Sequence, residues 1–321
     1  MRPFKRILCE AGLGDTRMRV LERAVDLAQK NQAELAVIDI IEPWPGDWGE
    51  SQTPVQRRSI RHAREQRLEQ TLVPFRKRMA IDVHSATVTS MPFLALVREV
   101  IRGEYDLVIR ESEDPDWIDC ALGSDDMQLL RACPCPVWLL DPAAPQHCRR
   151  LLVAVDVDRQ YPAHELETRR ALNRLTLQLA CSQAILESAE LHVVHAWQPE
   201  SVTNSYHGMS TGQMNDYDGR RRTLHQRELA RLLEHTEDYI GPESFRRIEL
   251  QEHLLDGSPR RLIPQLVRRM GIDLVVMGSV ARTGIKGLLI GNTAEAILTQ
   301  LDCSVLVVKP PGFETPVTLE D

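Results

Sequence analysis

Asp156, Gly278, Gly291 and Asn292 are the residues of this 321-residue chain whose types and placing point to chemistry. Asp156 follows the apolar run Leu151-Leu152-Val153-Ala154-Val155, and Gly278 follows Leu274-Val275-Val276-Met277. Gly291-Asn292-Thr293 precede a helix-like segment, and Ala281, Arg282, Thr283, Gly284, Lys286 and Gly287 lie in the loop before it. A buried strand, a glycine-rich loop and a capped helix start are the parts from which α/β proteins build phosphate sites. The spacing predicts Asn292 as the N-cap, with Glu295 completing a capping-box arrangement. The free N–H groups and partial positive charge of that terminus suit an anion. The same residues also have a plain structural use, in which the glycines close turns and Asp156 caps a loop.

Other reactive types converge less. His192 and His195 are three apart on a predicted strand and face opposite sides of the sheet, so structural roles are expected and no metal site is assigned. Ser279 follows Gly278, but no G-x-S-x-G elbow surrounds it and no histidine neighbours it in sequence, so no catalytic residue is assigned. Cys133-Pro134-Cys135 lacks the two-residue gap of a zinc or redox pair, and the seven cysteines show no disulfide-framework spacing. Reduced, structural thiols and a cytoplasmic location are the expectation. The arginine-rich stretches Arg57 to Arg67 and Arg220 to Arg231 are interleaved with glutamate and leucine and read as exposed faces of long helices. Trp44, Trp48 and Met91, with Trp197, Tyr206 and Met209, follow second or third strands. They are candidates to line an apolar cavity for a small or lipid-like ligand, with core packing as the alternative.

Composition excludes several classes. A net charge of -7 argues against a general nucleic-acid or anionic-membrane binder, because neither surface attracts a net anion. No apolar run approaches the ~20 residues of a membrane span. The basic N-terminus has too short an apolar part for a signal peptide.

The elements that must position these residues form an internal repeat. Arg6-Ile7-Leu8-Cys9 matches Arg150-Leu151-Leu152-Val153, and Ala33 to Ile40 matches Ala189 to Ala196. Long charged helices follow at Val55 to Met79 and Tyr217 to Tyr239. Third strands are expected at Val83 to Val88 and Ile248 to His253, and the helices after them at Pro92 to Arg102 and Pro259 to Met270. Fourth strands are Tyr105 to Ile109 and Ile272 to Val276. Fifth strands are Cys135 to Leu140 and Cys303 to Val308. Strands alternating with helices give a parallel sheet covered on both faces, so the fold class is α/β with two tandem doubly wound domains. The expected boundaries are 1–142 for the first domain, 143–148 for a proline-bearing linker, 149–312 for the second domain and 313–321 for an acidic tail.

On these residues the chain resembles the universal stress protein family. The strand ending in Val155-Asp156 and the GS…RTG…LLIGNTAE…CSVLVVKP run carry the resemblance. It is clearest over residues 150 to 321 and rests, over 1 to 142, on strand order and the fourth and fifth strands. It implies a tandem member whose halves each hold a five-stranded sheet of order 3-2-1-4-5. Members that bind ATP carry G-x2-G-x9-G-(S/T) after the fourth strand and an aspartate at the end of the first. By position, Gly278 matches the first glycine, Ala281 replaces the second, Gly291 matches the third and Asn292 replaces the hydroxyl residue. Arg282 and Thr293 belong to the same run. Asp156 matches the aspartate near the adenosine, and Ala196 falls where a second-strand residue lines the adenine. A methyl at Ala281 crowds the approach of a phosphate or denies a positive φ, and Asn292 lacks the hydroxyl while keeping its N–H.

In the first half Gly12 stands at the aspartate's place, and Arg110-Glu111-Ser112-Glu113-Asp114-Pro115-Asp116 replaces the glycine loop. Each close like-charge pair with a triphosphate costs roughly 1 kcal/mol or more. No ATP site is expected in residues 1 to 142; a fluorescent ATP analogue bound by that half alone would overturn this. The expectation is therefore a non-catalytic stress-response protein that acts by ligand or partner binding, with a degenerate nucleotide loop in the second domain. An ATP or ADP sensor working through that domain is the alternative, and a nucleotide hydrolase is a weaker one. The resemblance implies a role in survival under stress, including DNA damage. It also implies pairing of the two domains within the chain, and a homodimer beyond that, because an apolar edge strand such as Ser304 to Val308 needs cover.

Overall fold

Runs such as Leu151-Leu152-Val153 and Leu274-Val275-Val276 are apolar at consecutive positions, which suits strands covered on both faces. All six of these side chains are fully buried. The computed structural model describes residues 3–10, 17–42, 53–78, 83–112, 124–199, 211–279 and 290–319. Two compact units change over between Gln146 and His147, and the segment from Phe313 belongs to the first unit. There, Arg98 Nε donates to the Thr318 carbonyl at 3.3 Å.

The first unit runs β1 (Arg6–Glu10), α1 (Arg17–Asn31), β2 (Glu34–Ile41), α2 (Pro54–Arg78), β3 (Val83–Thr89), α3 (Pro92–Gly103), β4 (Leu107–Glu111), α4 (Asp125–Ala132) and β5 (Val137–Leu140). β1 pairs in parallel with β2 and β4, β2 with β3, and β4 with β5, which gives the order 3-2-1-4-5.

The second unit runs β6 (Arg150–Ala154), α5 (Ala163–Glu187), β7 (Glu190–Trp197), α6 (Thr211–Ile240), α7 (Pro242–Phe245), β8 (Leu250–Asp256), α8 (Pro259–Met270), β9 (Leu274–Gly278), α9 (Asn292–Leu298) and β10 (Ser304–Val308). β6 pairs with β7 and β9, β7 with β8, and β9 with β10, so the same order is repeated. No helix among the described residues is long and apolar enough to cross a membrane.

Several boundaries differ from the sequence expectation. β4 and β9 begin at Leu107 and Leu274, after Asp106 and Asp273 rather than before them. Each aspartate is spent at the strand entry. Asp106 accepts from the N–H groups of Lys5 and Arg6 at 2.7 and 3.1 Å, and Asp273 accepts from those of Arg149 and Arg150 at 2.6 and 3.0 Å. β8 starts at Leu250 and not at Ile248, because the short helix α7 and the turn after it occupy the chain up to that point. Helix α9 is capped by Gly291, with no side-chain cap bond, so Asn292 is its first residue and not its N-cap.

Gly278 has a packing reason to be glycine. α5 lies against β6, β7 and β9, and a Cβ on Gly278 would come within 2.6 Å of Leu172 Cδ2 and 2.8 Å of its Cγ. Gly278→Val is expected to destabilise the second unit by about 1–3 kcal/mol through overpacking. The cost should shrink when Leu172→Ala is added, which denaturant melts of the two single variants and the double variant will measure.

Candidate functional site

In the order 10-9-6-7-8, strands are added to one side of β6 and then to the other, so the strand order reverses there, and the carboxyl ends of β9, β6 and β7 lie side by side. Ligands of doubly wound sheets collect at such a switch point. Gly278 ends β9, Asp156 follows β6 by two residues, and Ala196 is the penultimate residue of β7, so the fold brings these three to one edge. Gly291, Asn292 and Thr293 open α9, with Asn292 and Thr293 exposed. Ala281 and Arg282 lie outside the described residues.

Asp156 is held by its neighbours on both sides of the backbone. The Asn173 side chain accepts from the Asp156 N–H at 3.1 Å and donates to its carbonyl at 2.6 Å. The Asp156 carboxylate accepts the Tyr161 hydroxyl at 2.6 Å, Arg169 at 3.3 Å and the N–H of Asp158 at 3.2 Å. This last bond is an Asx-turn, the structural use expected of a loop aspartate. The Arg169 guanidinium lies over the Tyr161 ring at 3.6 Å and also bonds Glu165 at 3.2 Å. Burial, then the Asp156 charge, push the Tyr161 hydroxyl well above its ordinary range, so it stays a donor. With its side chain 41% exposed, Asp156 still meets solvent. A ligand hydroxyl reaching that carboxylate would have to compete with Tyr161 and Arg169.

Behind Asp156 runs a chain of imidazoles. His195 Nδ1 lies 3.1 Å from the Val155 carbonyl, and His195 Nε2 lies 3.1 Å from His225 Nδ1. A carbonyl only accepts, so His195 must donate from Nδ1 and accept at Nε2; His225 then donates from Nδ1 and keeps a lone pair at Nε2. That buried nitrogen has no partner among the described residues. The Trp197 and His225 rings meet at a tilt of 31° with centroids 4.9 Å apart, and Arg221 lies 5.2 Å over Trp197 while bonding Asp158 at 3.3 Å. His192, on the same strand, instead meets His253 at 2.9 Å. The two β7 histidines therefore have separate partners and do not converge.

Burial holds the imidazoles neutral. It lowers His195, and it lowers His225 to about 4 with help from the nearby His195. The sign follows from proton binding. Between pH 6.5 and 4 the unfolded chain takes up protons at His225 that the folded chain refuses, so this contribution is complete above 6.5 and lost as pH falls. At pH 5 the loss from His225 is on the order of 1–2 kcal/mol. Denaturant melts at pH 7 and pH 5 should show that difference in the parent chain, and a smaller one in His225→Gln.

Other candidates have structural settings. Ser279 is buried and donates to the Val308 carbonyl through its N–H at 2.9 Å and its hydroxyl at 3.3 Å. Cys133 and Cys135 bring their sulfurs to 3.6 Å, and burial pushes the Cys135 thiol well above its usual range, which leaves it unreactive. Trp197 is packed in the core and Met91 is exposed, while Trp44, Trp48, Tyr206 and Met209 lie outside the described residues. The arginine stretches are less uniform than their helical faces suggest: Arg64 reaches the fully buried Asp39 at 2.7 Å, and Arg221 covers Trp197.

The same edge of the first unit is filled by charge. The Arg110 side chain is 6% exposed and lies 3.1 Å from Glu10, 3.1 Å from Asp126 and 3.4 Å from Asp125. Ser124 caps α4 by accepting the Met127 N–H at 3.3 Å. Carboxylates outnumber the guanidinium there, so a further anion would meet a net negative field. Gly12 and residues 113–116 lie outside the described residues.

Tyr161, Arg169, Asn173, His225 and Arg221 are the site residues that sequence reasoning missed. Arg169 and Asn173 do stand one helical turn apart on α5, a signal that could have been read. His225 offered none, because thirty residues separate it from His195.

Comparison with known proteins follows the fold. The model of the universal stress protein family matches residues 3–141 and 148–309. The chain is 27% identical over 303 residues to universal stress protein E of Photorhabdus laumondii, covering 92% of each. It is 31% identical over 231 residues to universal stress protein E of Escherichia coli K12, covering 72% of this chain and 69% of that one. Among solved structures it resembles a functionally unknown protein of Pseudomonas aeruginosa PAO1, with a TM-score of 0.66 at 24% identity over 96% of this chain and 94% of that one. A universal stress protein of Archaeoglobus fulgidus gives a TM-score of 0.61 at 18% identity over 96% and 97%.

Proposed function

The chain belongs to the universal stress protein family, and from that premise we propose that it serves the stress response by binding a ligand or partner and not by catalysis. The observation that carries this reading is the state of Asp156. Both of its carboxylate oxygens are engaged inside the chain, by Tyr161 and Arg169 on one and the Asp158 N–H on the other. A hydrolase would need this group as a base or metal ligand, and Tyr161 and Arg169 would first have to release it. Ser279, which directly follows Gly278 at the end of β9, is likewise tied to Val308. We take recognition to lie in the second unit and to be independent of nucleotide, since the loop departs from the nucleotide pattern at Ala281 and Asn292.

One observation favours ATP or ADP instead. Gly291 has φ -62° and ψ 137°, open to any residue, so backbone conformation does not explain its missing side chain. Close approach of a phosphate would explain it.

Calorimetry with ATP and Mg²⁺ on the intact chain, on Asp156→Ala and on Gly291→Val separates the two. The binding reading without nucleotide expects no saturable heat in any of the three. Saturable heat in the parent chain, weakened at least tenfold in both variants, would establish the nucleotide sensor in its place. Phosphate release above a buffer blank would return the hydrolase.

A further inference from the structure

Leu166, Arg170 and Arg174 follow one another at four-residue steps on α5, so they stand in one row along the helix. On α6, Glu228, Arg231 and Leu232 share one face at three- and four-residue spacing. The two rows bound a cavity of about 150 Å³, with Asp156 and Arg169 among its lining residues at one end. Through the shared Arg159, Leu166, Arg170 and Arg174 it adjoins a wider hollow of about 440 Å³.

The charges in this groove do not balance. Glu228 serves both Arg159 at 3.6 Å and Arg231 at 2.7 Å. Asp158 is taken by Arg221 and Asp156 by Tyr161 and Arg169. Glu167 lies on the rim of the wider hollow. Arg170 and Arg174 pair with no carboxylate among the described residues. Like charges one helical turn apart weaken a helix, so keeping two unpaired guanidiniums there works against α5 unless something bridges them.

We propose that this groove binds a small organic phosphomonoester, with the phosphate held by Arg170 and Arg174 and the apolar part between Leu166 and Leu232. Planar guanidinium forks match phosphate oxygens in pairs, and a phosphomonoester carries close to two negative charges at neutral pH. The apolar walls and a volume of about 150 Å³ suit a ring of roughly benzene size. The groove is formed on the helical layer and uses no residue of the loop after β9, so this proposal stands apart from the reading of that loop.

Phenyl phosphate is the probe, with inorganic phosphate and phenol as its two halves, titrated calorimetrically into the full chain at low salt. Phenyl phosphate should bind saturably and at least tenfold more tightly than either half. Arg170→Ala combined with Arg174→Ala should weaken it tenfold or more while leaving the circular dichroism spectrum unchanged, since neither side chain is buried and alanine favours the helix. Gly291→Val should keep it within threefold, which separates this site from any nucleotide site at the loop. Absence of saturable binding would overturn the proposal, as would undiminished binding in the double arginine variant. Equal affinity for inorganic phosphate would remove the apolar half of the site, and equal affinity for phenol the anionic half.

Discussion

Arg110 lies almost wholly out of water with Glu10, Asp125 and Asp126 around it, and the cluster shows what a parallel sheet imposes at its carboxyl edge. Central strands buried on both faces end abruptly, and the polar residues at their ends, Glu10 on β1 and Arg110 on β4, are still buried. Charges placed there must be paired, because an uncompensated buried charge costs several kcal/mol. The second unit meets the same constraint differently. Asp156 is satisfied by Tyr161, Arg169 and the Asp158 N–H, and Asn173 ties the backbone beneath it to α5. Each unit therefore spends its edge charges internally, the first with a guanidinium at the centre and the second with a carboxylate.

That difference sets what each edge can do. A carboxylate-rich cluster repels phosphates, whereas the second edge keeps a half-open carboxylate, a stacked arginine and a row of neutral imidazoles running into the core. Imidazole neutrality is a consequence of burial and makes the second unit sensitive to acid through the same residues that stiffen β7 against α6. The arginines left over, Arg170 and Arg174, lie one layer out on α5, where helix spacing lines them up with Leu166.

Much of the fold was legible because each strand declared itself by consecutive apolar residues and each crossover by helical spacing. Leu274-Val275-Val276 and Val305-Leu306-Val307 needed no tertiary knowledge, and the helix from Pro259 to Met270 was bounded as observed, by proline at its start and Gly271 with φ 59° after its end. Boundaries slipped where a polar residue served a neighbouring strand, as Asp106 and Asp273 do, since that service is invisible along the chain. Gly278 was singled out for the right conspicuousness and given a ligand's reason, while Leu172 of α5 supplies a packing one.

By itself the sequence determined the two parallel α/β units and the family signature after the fourth strand of the second unit, because both follow from local pattern and spacing, while right-handed crossovers only narrowed the strand order that the family resemblance supplied. The folded structure alone decided the company Asp156 keeps, the tautomer chain from Val155 through His195 to His225, and the meeting of Leu166, Arg170 and Arg174 with α6. Apart from the local bonds of Asp156 to Asp158 and Tyr161, those contacts join residues on different elements, and which of them form depends on how helices turn against a sheet, a rotation that hydrophobic periodicity leaves open.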